Sequence, residues 1–269
     1  MPAGGEGSWA WSRWPYLDAP HPIALAHRGG AAGAAENSMA AFQRAVDLGY
    51  RYLETDVHAT EDGVLLAFHD ESLDRVTDGA GVVARLPWSR VRHARIGGQE
   101  PIPRLDDVLA SWPHVRLNVD VKAPGAIGPL LDVLRRTRAT DRVCVASFSD
   151  ARLRAVRSAA GPRLATSLGP REVLALRVAS YTSRARRWVP TGAACVQVPV
   201  TAGRVRVVDE RFVEAAHRHG LPVHVWTVDD PAEMHRLLDL GVDGVVTDDL
   251  EALRSVLLSR GSWWPGDRA

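Results

Sequence analysis

The stretch "IALAHRGGAAGAAENSMAAFQRAVDLG", residues 23–49, carries two hydrophobic periods in succession. Ile23 to Ala26 is a short continuous apolar run, as expected of a strand covered on both faces. From Ser38 the apolar residues recur at helical spacing, with Asn37 or Ser38 placed to cap the start and Gly49 to end the helix. The strand ends in His27 and Arg28. The chain then turns on Gly29-Gly30 and passes through small residues to Glu36-Asn37. A titratable ring and a fixed positive charge at a strand end, followed by a loop that lets a ligand approach the backbone, mark a candidate site.

The same strand-then-helix pattern recurs along the chain. Apolar runs lie at Ile23 to Ala26, Tyr52 to Val57, Leu117 to Val121, Val143 to Ser147, Leu164 to Ser167, Cys195 to Val198, Val223 to Val228 and Gly244 to Thr247. Helical segments separate them; "PAEMHRLLDLG" starts on Pro231 in its first turn and stops at Gly241. Strands alternating with helices predict a parallel sheet, and eight of them predict an α/β fold of the (β/α)8 TIM barrel type. An open α/β sheet is the alternative if one strand is miscounted. One segment breaks the rhythm after the second strand. It has a turn at Glu61-Asp62-Gly63, a short strand at Val64 to Phe68 and another turn at Asp78-Gly79. The expected organisation is a Trp-rich segment at 1–20, a barrel domain at 21–258 with a small insertion at about 60–104, and a tail at 259–269.

Composition narrows the function classes. The chain has 269 residues with 33 basic and 32 acidic side chains, so no global field recruits nucleic acid. The basic run "SRARRW" at 183–188 reads as a solvated helix face, or as a patch beside the site that attracts anionic groups. Cys144 and Cys195 sit in apolar runs and read as buried thiols of a reducing, cytoplasmic setting rather than a disulfide. The N-terminus lacks the basic start and apolar core of a signal peptide, and no stretch has the length of a membrane span. Trp9, Trp11, Trp14, Trp263 and Trp264 are expected to pack on the outside of the barrel.

In a barrel, chemistry gathers where strands end at the C-terminal face. The first strand end supplies His27 and Arg28. "YLETDVH" supplies Glu54 and Asp56, two apart and so on one face; "LNVDVK" supplies Asp120 and Lys122 in the same way. Ser147, Trp226 and Thr227 come from later strand ends, and His69-Asp70 from the insertion. Three carboxylates at close range repel one another and call for a cation, and all-oxygen ligands favour Mg²⁺ or Ca²⁺. The histidines are then free for proton transfer. A phosphate ester between metal, Arg28 and Lys122 would balance the remaining charge. Acid–base pairs at strand ends also form plain salt-bridge networks; it is the conjunction that points to a site.

The sequence resembles the glycerophosphodiester phosphodiesterase family. The resemblance is carried by "AHRGG", by "EN" at Glu36-Asn37, by "LETDVHATEDGVLLAFHDESLDRVTDGAG" and "IPRLDDVL", and by "VDVK", "SF" at Ser147-Phe148, "VWTVD" and "GVDGVVTDDL". It implies a barrel with a small insertion after the second strand. It implies metal-dependent hydrolysis of glycerophosphodiesters to sn-glycerol 3-phosphate and an alcohol. It makes His27 and His69 the acid–base pair and Glu54, Asp56 and Asp120 ligands of one divalent cation. Arg28, Lys122 and Trp226 become substrate-binding residues. His69, arriving from the insertion, is read as the acid and His27 as the base. The family's third ligand is usually a glutamate in E-x-K, and here it is Asp120 before Lys122. "ENT" is "ENS" here, keeping a hydroxyl at Ser38.

Two other readings stay open. A lysophospholipase D-like member of the same superfamily would show an apolar mouth. A catalytically dead barrel binding a phosphometabolite would have lost histidines or carboxylates, and this chain keeps both. The expected partner is a small glycerophosphodiester, with neither nucleic acid nor stable membrane insertion.

Overall fold

The computed structural model describes residues 13–31, 35–182 and 192–264. Its frame is eight strand–helix pairs. The strands are β1 (Ile23–Ala26), β2 (Tyr52–Ala59), β3 (Arg116–Val121), β4 (Val143–Ala146), β5 (Ala165–Thr166), β6 (Val196–Pro199), β7 (Val223–Trp226) and β8 (Gly244–Thr247). The helices that follow them in turn are α1 (Met39–Asp47), α2 (Leu105–Ser111), α3 (Ile127–Thr137), α4 (Asp150–Ala160), α5 (Pro170–Ala179), α6 (Glu210–Arg218), α7 (Pro231–Asp239) and α8 (Leu250–Ser259).

The strands run parallel in the order β5-β4-β3-β2-β1-β8-β7-β6. The two ends of that order meet. Ser167 bridges Cys195 in parallel, Ala194 N–H donates to Thr166 O at 2.8 Å, and Leu168 N–H donates to Cys195 O at 3.0 Å. The sheet therefore curls round on itself as the eight-run pattern predicts, and the open-sheet alternative falls.

Side-chain alternation then sorts each strand. On β2, Leu53 and Val57 join the apolar layer beneath the helices, and Tyr52 joins the cluster inside the barrel. Glu54 and Asp56 share the parity of Tyr52 and so face inward. Parallel register sets Glu54 beside Asn118 and Asp56 beside Asp120. Capping follows the sequence. Ser38 accepts from Ala41 N–H at the start of α1, and Asp230 and Asp249 cap α7 and α8.

Trp14 departs from the expected outside position. It is buried with Tyr16 and Leu17 against Leu25, Tyr52, Cys144, Cys195 and Val246, and Tyr16 meets the Tyr52 ring edge-on at 5.3 Å. It fills the barrel interior from the end opposite His27, where large rings remove more apolar surface than on an outer face. Trp263 lies across Tyr50 at 5.2 Å, and Trp264 is exposed. Trp9, Trp11 and the run 183–188 lie outside the described residues.

The segment between β2 and α2 lays a strand, Leu65–Ala67, antiparallel on the end of β2 and adds a hairpin, Arg95–Ile96 with Glu100–Pro101. It has its own apolar cluster around Leu66, Phe68, Val83, Val91 and Ile96. Among the described residues no helix is long and apolar enough to cross a membrane.

The glycines after His27 serve packing rather than ligand approach. Gly29 and Gly30 have φ of +84° and +89°. A Cβ on Gly29 would lie 2.9 Å from the Ala41 backbone, and one on Gly30 would lie 2.6 Å from the Leu250 side chain. The loop is small because it is wedged between α1 and α8.

Candidate active site

A cavity of about 490 Å³ opens at the C-terminal ends of the strands. The eight residues given a catalytic, metal-binding or substrate-binding role in the sequence reading line it: His27, Arg28, Glu54, Asp56, His69, Asp120, Lys122 and Trp226; Asp70 does not. Ser147 and Thr227 line it as well.

The acidic floor comes from β2 and β3. Glu54, Asp56 and Asp120 are all buried. Glu54 accepts from the Arg28 backbone N–H at 3.2 Å. Burial, with Asp56 alongside, pushes its carboxyl up to about 8. Burial also raises the Asp120 carboxyl, and Lys122 only partly offsets this. Asp56 behaves differently. Burial opposes its ionisation, but Lys122 and Arg28 outweigh that and hold the carboxyl below its usual value. Asn37 steadies it further, donating from its side-chain amide to Asp56 Oδ2 at 3.3 Å.

Each cation is engaged with these acids. Lys122 Nζ lies 2.7 Å from Asp56 Oδ1 and 2.7 Å from Asp120 Oδ2. Arg28 Nε lies 3.0 Å from Asp56 Oδ2, and its Nη1 lies 3.0 Å from Glu36 Oε1. Arg28 holds a left-handed φ of 50°, a conformation that costs free energy in a non-glycine residue and turns its side chain back over the site. Among the described residues no group of three or more His, Cys, Asp or Glu stands arranged around a metal position. The ammonium of Lys122 lies between Asp56 and Asp120 instead.

The donor set nevertheless suits a hard cation. Among the described residues, Asp120 Oδ1 is buried with no hydrogen-bond partner. The Glu54 carboxylate has no arginine or lysine side chain within ion-pair distance among the described residues and meets His27 Nε2 at 3.9 Å. These oxygen atoms keep unused lone pairs in a dry floor, and a bound cation would draw both acids into their ionised form.

Both histidines are held through Nδ1. His27 Nδ1 lies 2.8 Å from Asp248 Oδ1, and His69 Nδ1 lies 2.6 Å from Asp70 Oδ1. Burial works against charge on His27, and Asp248 with Glu54 outweighs it, so its pKa is raised. His69 is set in place by the strand on β2: Phe68 N–H donates to Asp56 O at 2.8 Å, and the His58 ring holds the His69 carbonyl at 3.1 Å. Arg75 ties the insertion to the barrel. Its Nη2 reaches Asp70 Oδ1 at 2.9 Å and Glu36 Oε1 at 2.7 Å. Glu36 therefore bridges Arg28 and Arg75.

Opposite the acids the wall is apolar. Phe148 and Trp226 meet edge-to-face at 5.4 Å, and Leu168, Pro170, Val173 and Val207 continue the surface. Phe148 is 62% exposed at the mouth, so this wall is reached from solvent.

Sequence reasoning left Asp248 and Asn37 without a site role. Asp248 follows directly on β8, and the rule that chemistry sits at strand ends would have found it.

Residues 27–252 match the model of the glycerophosphoryl diester phosphodiesterase family. A Mycobacterium tuberculosis protein named "Probable glycerophosphodiester phosphodiesterase 2" is 44% identical, over 90% of this chain and 92% of its own length. A glycerophosphodiester phosphodiesterase of Caldanaerobacter subterraneus is 30% identical, over 89% of this chain and 99% of its own. An Oleispira antarctica phosphodiesterase, solved with the product sn-glycerol-3-phosphate, superposes with a TM-score of 0.73 at 24% identity, covering 88% of this chain and 97% of that one. That last likeness is one of fold.

Proposed function

The chain belongs to the glycerophosphoryl diester phosphodiesterase family, and from that premise we propose that it hydrolyses glycerophosphodiesters to sn-glycerol 3-phosphate and an alcohol. The observation that carries the reading is the pairing of His27 and His69 across one acidic cavity, each with Nδ1 on a carboxylate. With Nδ1 so engaged, Nε2 of each ring is left for proton transfer.

In this reading His27 takes the proton from the attacking oxygen, beside the Glu54 end of the floor. His69, carried on the insertion, gives a proton to the leaving alkoxide. The two rings then exchange protons with solvent to reset. Arg28 and Lys122 leave their carboxylates and bind phosphoryl oxygens, which have the same charge and a better match to a fork of donors. Glu54, Asp56 and Asp120 would hold one divalent cation, Mg²⁺ or Ca²⁺, once Lys122 moves from between them. Such an ion polarises a phosphoryl oxygen and eases deprotonation of the attacking one.

The apolar wall favours a second reading, in which the glycerol that keeps the phosphate carries an acyl chain. The acyl chain of a lysophospholipid would cover Phe148, Leu168, Val173 and Trp226, while the head-group alcohol departs. We read residues 21–258 as the catalytic domain. The cytoplasmic setting rests on two thiols, Cys144 and Cys195, that lie buried and unbridged.

The test is turnover on a panel of glycerophosphocholine, glycerophosphoethanolamine, glycerophosphoglycerol and lysophosphatidylcholine, following glycerol 3-phosphate and lysophosphatidic acid. Release from the water-soluble diesters supports the first reading, and preference for the acyl substrate supports the second. No turnover of any of them leaves only a binding barrel.

A further inference from the structure

We propose that Asp248 is a positioning residue that fixes the ring orientation and tautomer of His27. The inference rests on the functional reading above, since it assigns a role within that site.

Asp248 is the first residue after β8, and its side chain reaches back over β1 to His27 Nδ1 at 2.8 Å. It does not line the cavity, so it acts on substrate only through His27. Its own position is over-determined. Asp229 Oδ1 accepts from the Thr247 hydroxyl at 2.8 Å, the Asp248 N–H at 2.8 Å and the Asp249 N–H at 3.3 Å. Asp249 in turn caps α8 through Ala252 N–H. Asp248 also accepts from Ala31 N–H at 3.3 Å, which ties the loop after β1 to the same carboxylate. Asp229 thus fixes the backbone of residues 247–249, and Asp248 Oδ1 takes the Ala31 N–H beside the imidazole.

An imidazole held only by packing can turn about its Cβ–Cγ bond, exchanging Nδ1 with Cδ2 and Nε2 with Cε1, and its proton can sit on either nitrogen. A carboxylate at Nδ1 removes that freedom, because it accepts and cannot donate. The proton stays on Nδ1, and the unprotonated Nε2 is presented on the Glu54 side, at 3.9 Å from Glu54 Oε2. A base acting on an attacking oxygen needs that tautomer. His69 has the same arrangement from a different source, with Asp70 beside it in sequence and Arg75 bracing Asp70. The barrel thus supplies one orienting carboxylate and the insertion the other.

The test combines kinetics with a readout that needs no turnover. Asp248→Asn can accept or donate, so it loses the tautomer; kcat should fall by on the order of 10²-fold, with KM nearly unchanged. The loss should appear on a natural diester and on a nitrophenyl diester alike, because His27 acts on the attacking oxygen in both. Asp248→Glu should recover part of the rate, and formate should partly restore Asp248→Ala. In ¹⁵N-histidine spectra of the wild type, the signals removed by His27→Gln should report a proton on Nδ1, and in Asp248→Asn they should report a mixture. Wild-type kcat in Asp248→Asn overturns the proposal, and so does a His27 ring with its proton on Nε2 in the wild type. If the wild-type chain cleaves no diester, the functional reading fails, while the nitrogen spectra still decide the role of Asp248.

Discussion

Lys122 and Asp120, two residues apart at the end of β3, meet with Nζ 2.7 Å from Oδ2, and the same ammonium lies 2.7 Å from Asp56 Oδ1. Burial works against the lysine's charge, and the two aspartates outweigh it, so its pKa is raised. The lysine thus neutralises the pair of acids that a divalent cation would neutralise in its place. Lys122→Met removes this partner and leaves two buried carboxylates facing one another. In chelator the variant should lose about 3–5 kcal/mol of stability, as when one member of a buried pair is deleted. Adding Mg²⁺ or Ca²⁺ should then raise its melting temperature more than that of the wild type. Equal shifts in both proteins would mean that lysine and metal do not share a position.

Asp120 stands where the family's motif usually has glutamate, and its Oδ1 is buried without a hydrogen-bond partner among the described residues. Asp120→Glu should keep turnover, with an altered preference between Mg²⁺ and Ca²⁺. Asp120→Ala should lose turnover and bind metal at least about 10-fold more weakly in calorimetric titration. Wild-type metal affinity in Asp120→Ala would remove Asp120 from the ligand set.

The histidines separate by leaving group. A nitrophenolate departs without a proton, whereas the alkoxide of glycerophosphoethanolamine needs one. General acid help is worth ~10²–10⁴-fold. His69→Ala should therefore be severely impaired on the natural diester and largely spared on the nitrophenyl ester, and His27→Ala impaired on both. The reverse pattern would exchange the roles. Equal losses on both substrates in both variants would contradict the division into one acid and one base.

Away from the site, His217 on α6 lies 2.7 Å from Asp243 Oδ2, which also accepts from Val223 N–H at the start of β7. The aspartate raises the histidine's pKa above its unfolded value. A raised histidine pKa contributes stability that is fully present below the unfolded value of about 6.5 and lost as pH rises through the folded one. His217→Asn should lower the melting temperature more at pH 5.5 than at pH 9. A deficit independent of pH would leave only the packing of the ring.

Much of the site was legible because period 2 in a strand and the barrel's geometry act together. Glu54 and Asp56 are inward because they share the parity of Tyr52, and Asp120 stands beside Asp56 because parallel register puts it there. What sequence could not carry is contact between distant segments. The His27–Asp248 hydrogen bond joins residues 221 apart, and "TDD" at the end of β8 reads equally well as capping material for α8. Arg75 in the insertion reads as a solvated charge until the fold sets it between Asp70 and Glu36. The glycines at 29 and 30 signal a tight approach, but only the position of α1 and α8 reveals that the approach is by the protein's own helices. Trp14 has no periodic context to say which side of the barrel it covers.

The most direct measurement incubates the purified chain with glycerophosphocholine and quantifies sn-glycerol 3-phosphate and choline together, with Mg²⁺ or Ca²⁺ and with excess chelator. The account predicts equimolar release of both products with the ion, none in chelator, and none from a His27→Ala, His69→Ala double variant. Release at the wild-type rate in chelator, or from the double variant, would contradict it.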